Sequence, residues 1–126
     1  MHARARSRAA LVRLAAVAVL ALALAGCTSA PEPVEVPADA VVIDVRTAAE
    51  HAQGHLAGAT LLDVSNGDLE AAIPSLDPDA ATFVYCRSGS RSASAAAMLR
   101  EAGFTDVTDL GSLDEAAAAT GIAIER

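Results

Sequence analysis

The chain has 126 residues, with 9 Lys plus Arg against 16 Asp plus Glu and a formal charge of -7; that length supports one small domain and excludes a second. Four of the basic residues, Arg4, Arg6, Arg8 and Arg13, crowd the start, so from position 27 onward 5 Arg, no Lys and all 16 acids remain, a formal charge of -11. A surface of that sign repels nucleic acid and anionic lipid headgroups.

In chain order, the arginine-rich opening carries no acid and reads as a basic n-region. The apolar run from Leu14 to Ala25 follows, too short to span a hydrocarbon layer of ~30 Å, and reads as the h-region of a signal peptide. It ends in Leu24, Ala25, Gly26 and Cys27, which resembles the lipobox of bacterial lipoproteins. That resemblance implies a lipoprotein signal peptide over 1–26 and a diacylated Cys27 as the new N-terminus. The domain is then exported and held by lipid at the outer face of the bacterial cell membrane, or at the periplasmic membrane face. An ordinary signal peptide or an uncleaved anchor is the competing reading. From Thr28 to Asp39 the chain is polar, acidic and broken by Pro31, Pro33 and Pro37. We read 27–39 as the lipidated cysteine with a Pro-rich tether, reaching up to ~37 Å at ~3.1 Å per residue.

The globular part, 40–126, alternates short apolar runs with helical segments. Val41 to Val45, interrupted only by Asp44, predicts a strand buried on both faces. Thr47 and Glu50 form a capping box for a helix to about Gln53, stopped by Gly54. Thr60 to Asp63 is the next strand. Ser65 with Asp68 predicts a helix start and Pro74 its end. Thr82 to Tyr85 is a third strand running into Cys86. A helix from Ser92 to Ala102 follows, with Gly103 as its stop. Val107 to Leu110 is a fourth strand, Ser112 with Glu115 starts a last helix ending before Gly121, and Ile122 to Ile124 adds an edge strand. The fold class is α/β, a small parallel sheet with helices on both faces, in which ligands sit at the carboxyl ends of strands.

Cys86 stands at such an end. With Cys27 assigned to lipid, Cys86 has no partner for an intramolecular disulfide, so its thiol is either buried and inert or kept for its reactivity. The residues that follow, Arg87, Ser88, Gly89, Ser90, Arg91 and Ser92, form a strand-to-helix loop of small side chains. Such a loop turns successive N–H groups toward one centre, with a helix N-terminus behind it, and binds anions. A thiolate is an anion, so the same field lowers the thiol pKa, and Arg87 and Arg91 add formal charge.

Cys86 to Ser92 resembles the active loop of rhodanese-family sulfurtransferases. Val41 to Arg46 with Glu50 is similar to the opening strand and helix of that family, and Gly54 to Ala59 to its Gly-His-Ile-x-Gly-Ala turn. Ala102, Gly103 and Phe104, followed by Val107, Leu110 and Gly111, resemble its passage to the last strand. The resemblance covers roughly 40 to 120; Ser112 replaces the usual second glycine and no tryptophan follows. It implies covalent catalysis in which Cys86 takes a sulfane sulfur from an anionic donor such as thiosulfate, holds it as a persulfide, and passes it to a thiol or cyanide. Arg87, Ser88, Gly89, Ser90, Arg91 and Ser92 then bind the donor or stabilise the persulfide. No cofactor is required, and the protein partner is not specified.

Other residues carry weaker readings. Asp44 and Arg46 at a strand end are better read as an ion pair that holds the turn than as a catalytic pair, and the family pattern makes His55 a turn residue. His51 and His55 have helical metal-ligand spacing, but Gly54 interrupts the helix and no further His or free Cys is near, so no metal is expected. Ser90 and Ser92 lack a histidine base in the loop. A cysteine phosphatase or arsenate reductase is a second enzyme reading, disfavoured because four residues rather than five separate Cys86 from Arg91. A non-catalytic binding or sensing module at the membrane surface is the third.

Overall fold

A computed structural model of the protein describes residues 32–126; the signal peptide expected over 1–26, the expected lipidation site Cys27 and the first part of the expected tether lie outside the described residues. In chain order the elements are β1 (Val41–Asp44), α1 (Ala48–Gln53), β2 (His55–Leu56), β3 (Thr60–Leu61), α2 (Asp68–Ala72) with a 3-10 turn (Ile73–Ser75), β4 (Thr82–Cys86), α3 (Ser90–Glu101), β5 (Val107–Ser112), α4 (Leu113–Thr120) and β6 (Ile124–Glu125).

Strands β3, β1, β4 and β5 form one sheet in that order, and every neighbouring pair is parallel. The central strand β4 is buried at all five positions, which is why its sequence is apolar without alternation. Side chains on alternate sides of β4 feed two cores. Val84 and Cys86 join Ile43, Val45, Leu69, Ala95, Ala96, Leu99 and Phe104 beneath α2 and α3. Phe83 and Tyr85 join Leu56, Leu110 and Ala116 beneath α4. The alanines of α3 bring the helix close to the sheet, and Leu99, fully buried, supplies its largest apolar contact; truncation to Ala costs about 2–5 kcal/mol. Among the described residues no helix is long and apolar enough to cross a membrane.

Both capping boxes form. The Thr47 hydroxyl accepts from the Glu50 N–H while the Glu50 carboxylate accepts from the Thr47 N–H, and Ser112 and Glu115 repeat the arrangement at α4. The start expected at Ser65 does not. Asp63 is 6% exposed and takes the Ser65 N–H (2.8 Å) and hydroxyl (2.5 Å) as donors, leaving Gly67, in the left-handed region at φ +90°, to begin α2. Helix α3 begins at Ser90, two residues before the expected Ser92, because Gly89 reverses the chain at φ +91°.

Two arrangements were absent from the sequence reading. The edge strand expected at Ile122 to Ile124 is Ile124–Glu125, and it pairs antiparallel with His55–Leu56 as a separate two-stranded sheet. The tether assigned to 27–39 is also too long at its C-terminal end. The Val34 N–H donates to the Ala119 carbonyl at 2.8 Å, and Val34 and Val36 pack against the Phe83 and Tyr85 core. The prolines there do not prevent two valines from docking, so the domain body starts at Val34 rather than Ala40.

Candidate active site

Parallel strands end together, and here β1 and β4 deliver Asp44 and Cys86 to the same end of the sheet on opposite faces. Asp44 pairs in register with Tyr85, and Cys86, one residue on, pairs with Ser112 of β5. After Cys86 the chain rises through Arg87 and Ser88, turns at Gly89 and enters α3. Only glycine adopts φ +91° without strain. Its Cα side also lies against the Gly111 backbone, where an added Cβ would stand 3.8 Å away. That distance is ordinary contact, so the positive φ and not the approach to β5 is what calls for glycine at position 89.

Within this loop the sulfur sits among donors. The Gly89 N–H donates to Cys86 Sγ at 3.0 Å, and Ser92 Oγ lies 3.4 Å from it. Burial raises the Cys86 pKa, but the Ser92 hydroxyl and the backbone N–H groups of Ser92, Gly89 and Ser88 outweigh that and lower it from its ordinary 9.0. The physical cause is a cluster of donors and a helix N-terminus pointing at a developing thiolate. Ser92 is fully buried and also donates to the Gly89 carbonyl at 3.1 Å. Its single proton serves that carbonyl while Cys86 is a thiol and is free to swing to sulfur when Cys86 ionises. Cys86 itself has 0% of its surface exposed, whereas Arg87, Ser88 and Ser90 are exposed. A sulfur donor meets it only when the loop yields.

The two loop arginines separate in role. Arg91, expected to bind an anionic donor, is engaged elsewhere: its two terminal nitrogens donate to the two carboxylate oxygens of Glu50, both at 2.8 Å. That pair lowers the Glu50 pKa to about 2 and raises that of Arg91. Arg91 therefore bolts α3 to α1 and adds field at Cys86 without offering its fork to a ligand. Arg87 makes no hydrogen bond or ion pair among the described residues.

Behind the loop, Asp44 and Arg46 form a buried pair. Arg46 donates from Nε and Nη2 to the two Asp44 oxygens at 2.9 and 2.7 Å, and from Nη2 to the Gly54 carbonyl at 2.6 Å. Asp44 also accepts from the Arg46 N–H (3.0 Å) and the Tyr85 hydroxyl (3.0 Å), with His51 Nδ1 at 2.9 Å. Burial raises the Asp44 pKa and these donors, Arg46 first, bring it below its ordinary value. Tyr85 in turn accepts from the Leu56 N–H at 3.0 Å. His55 stacks on His51 with ring centroids 3.8 Å apart; its Nδ1 meets the His51 carbonyl at 2.9 Å and its Nε2 lies 3.5 Å from Glu125. These contacts occupy both imidazoles within the fold and brace the turn that carries β2.

Sequence reasoning missed Glu50 as a partner of the loop, Tyr85 and His51 as partners of Asp44, and a cleft beside the loop. Only Glu50 had left a signal, as the capping residue. The cleft, about 340 Å³, is lined by Arg46, Glu50, Gln53, Gly54, Arg87, Ser112, Leu113, Asp114, Ile124 and Arg126.

A parallel sheet with a cysteine in an amide-lined strand-to-helix loop is the frame of a rhodanese-like domain. The chain belongs to the rhodanese-like domain family, whose model matches residues 32–119. It is 46% identical over 68 residues to the thiosulfate sulfurtransferase GlpE of Pseudomonas entomophila strain L48, and 47% identical over 68 residues to that of Pseudomonas fluorescens strain Pf0-1. In both cases the match covers 54% of this chain and 61% of the relative. Among solved structures, the rhodanese-like domain of an Anabaena protein superposes with a TM-score of 0.60 at 28% identity, covering 69% of this chain and 99% of that one. A structure described as a rhodanese with anions from E. coli gives 0.56 at 26% identity, covering 74% and 99%.

Proposed function

We propose that this protein is a sulfurtransferase that moves a sulfane sulfur from thiosulfate or a related anionic donor to a thiol or cyanide through a persulfide on Cys86. The observation that carries this reading is the Gly89 N–H donating to Cys86 Sγ at 3.0 Å, with Ser92 Oγ 3.4 Å from the same sulfur. The same donors that hold a thiolate suit a persulfide anion, one sulfur further out. The Cys86 thiolate attacks the outer sulfur of thiosulfate; the sulfur–sulfur bond of the donor breaks and its electron pair leaves with sulfite. Arg87 draws the donor to the loop, and Arg91 holds the loop through Glu50. The names of the curated relatives, thiosulfate sulfurtransferases, support the donor class.

The test is the intact mass of the full chain in a mild non-ionic detergent before and after thiosulfate, beside Cys86→Ser. A gain of one sulfur atom that cyanide removes, absent in the variant, supports the reading. No gain with thiosulfate, mercaptopyruvate or a low-molecular persulfide overturns it. The complete burial of Cys86 favours a second reading in that event, a binding or sensing module whose thiol never reacts.

The lipobox-like run ending in Cys27 supports an exported protein held by lipid at the outer face of the cell membrane or the periplasmic membrane face. With the body starting at Val34, about six tether residues separate it from the lipid, at most roughly 19 Å of extended chain. Cys27→Ser should move the protein from the membrane to the soluble fraction; unchanged fractionation overturns the anchor.

A further inference from the structure

Resting on the sulfurtransferase reading, we propose that Glu50 is a positioning residue for sulfur transfer: by gripping Arg91 it latches the active loop over Cys86 and sets how often the sulfur meets a donor. Cys86 is fully buried, so sulfur is neither loaded nor discharged while the loop is closed. The segment from Arg87 to Arg91 has to move. Its two ends are fixed, one by the pairing of Cys86 with Ser112 and the other by Ser92, itself fully buried.

The contacts that hold this segment down differ in reach. The Gly89 N–H on Cys86 Sγ at 3.0 Å and the Ser92 hydroxyl on the Gly89 carbonyl at 3.1 Å are internal to the loop. Among the described residues, the side-chain tie from this segment to another element is the fork of Arg91 on Glu50, with both contacts at 2.8 Å. Glu50 is the fixed end of that tie, because its Oε2 also accepts from the Thr47 N–H and hydroxyl, each at 3.0 Å. Arg91 is the moving end. Asp63, the other acid whose charge Arg91 feels, is engaged by the Ser65 N–H and hydroxyl and does not replace Glu50.

A bidentate guanidinium–carboxylate pair is directional as well as strong, so it fixes the first turn of α3 against α1. With its side chains 29% and 21% exposed, water competes for it, and the pair opens far more readily than the buried Asp44–Arg46 pair. That suits a latch. A latch and a prop give opposite results for one substitution: if the pair only props the loop, Glu50→Gln slows the reactions of Cys86, and if it shuts the loop, Glu50→Gln speeds them.

The full chain in detergent is treated with iodoacetamide, which is neutral and so indifferent to the charge that Glu50→Gln leaves free on Arg91. The rate is read by mass on the peptide that carries Cys86. Above the pH midpoint of the thiol, where Cys86 is all thiolate, the plateau rate reports access and not the local field. Glu50→Gln and Arg91→Gln should each raise that plateau about fivefold, the weight of an ion pair so exposed. The gain should depend little on urea below the unfolding transition, as a local opening does. Thr47→Ala, which loosens α1 and leaves the pair in place, should change the plateau far less. A plateau unchanged or lowered in both charge variants, one raised equally by Thr47→Ala, or one that climbs with urea as steeply as global unfolding overturns the latch. Alkylation needs no sulfur transfer, so a wild-type chain that fails to load from thiosulfate sinks the sulfurtransferase reading while the alkylation rates still decide the latch.

Discussion

Ser92 places its hydroxyl oxygen 3.4 Å from Cys86 Sγ while donating its proton to the Gly89 carbonyl. The hydroxyl is thus held within a bond rotation of the thiolate, and it opposes the desolvation that burial imposes on the sulfur. Ser92→Ala removes that donor and leaves the backbone N–H groups in place. The pH midpoint for alkylation of Cys86 by iodoacetamide should lie below the ordinary 9.0 in the wild type and rise in the variant. Equal midpoints would show that the amides alone carry the effect.

Gly89 is the hinge of the loop. Gly89→Ala forces a side chain into φ +91°, at a cost of about 1–2 kcal/mol, and the backbone can relieve it only by turning the N–H off the sulfur. Reduced urea stability together with a raised alkylation midpoint is expected. A loss of stability with an unmoved midpoint would separate the hinge from the electrostatics.

The Glu50–Arg91 pair links stability to acid. Glu50 ionises at about 2 in the fold against 4.5 ordinarily, chiefly through its hydrogen bonds from Arg91. The folded pKa is depressed, so this contribution is fully present above about pH 4.5 and is lost as the pH falls toward 2. With side chains 29% and 21% exposed, water screens it to about 1 kcal/mol. Urea melts of wild type and Glu50→Gln should differ by that amount at neutral pH and converge in acid; a difference that persists at pH 2 would assign the loss to packing.

Asp44 is a buried junction of three side chains. Asp44→Asn leaves the Arg46 charge without a counter-ion and should cost about 3–5 kcal/mol. Tyr85→Phe strands the buried Leu56 N–H and removes one donor from Asp44, costing about 1–3 kcal/mol. Equilibrium denaturation measures both. If Asp44→Asn proved the milder of the two, the ion pair would not be the element that holds the turn.

How much of this was legible in the sequence depended on chain distance. Thr47 with Glu50 and Ser112 with Glu115 announce their helices because a capping box is local, its two partners three residues apart. Cys86 announces its loop because strand, thiol and small residues are contiguous. The second partner of Glu50 stands 41 residues away, and a side chain already explained by one contact gives no sign of another. His51 and Tyr85 converge on Asp44 only through the parallel register of β1 and β4 and the placement of α1. The pairing of β2 with β6 spans two residues on each side, too short for any alternation to show. At Val34 and Val36 the surrounding prolines and acids masked two apolar contacts, and Ser65 was drawn from its expected cap by the buried carboxylate of Asp63.

The most direct test of the central claim is the mass of the full chain after exposure to thiosulfate, with release of sulfite measured in the same sample. The account predicts one added sulfur atom per chain, one equivalent of sulfite, removal of the sulfur by cyanide and no change in Cys86→Ser. An unchanged mass, or an added sulfur that survives in Cys86→Ser, would contradict it.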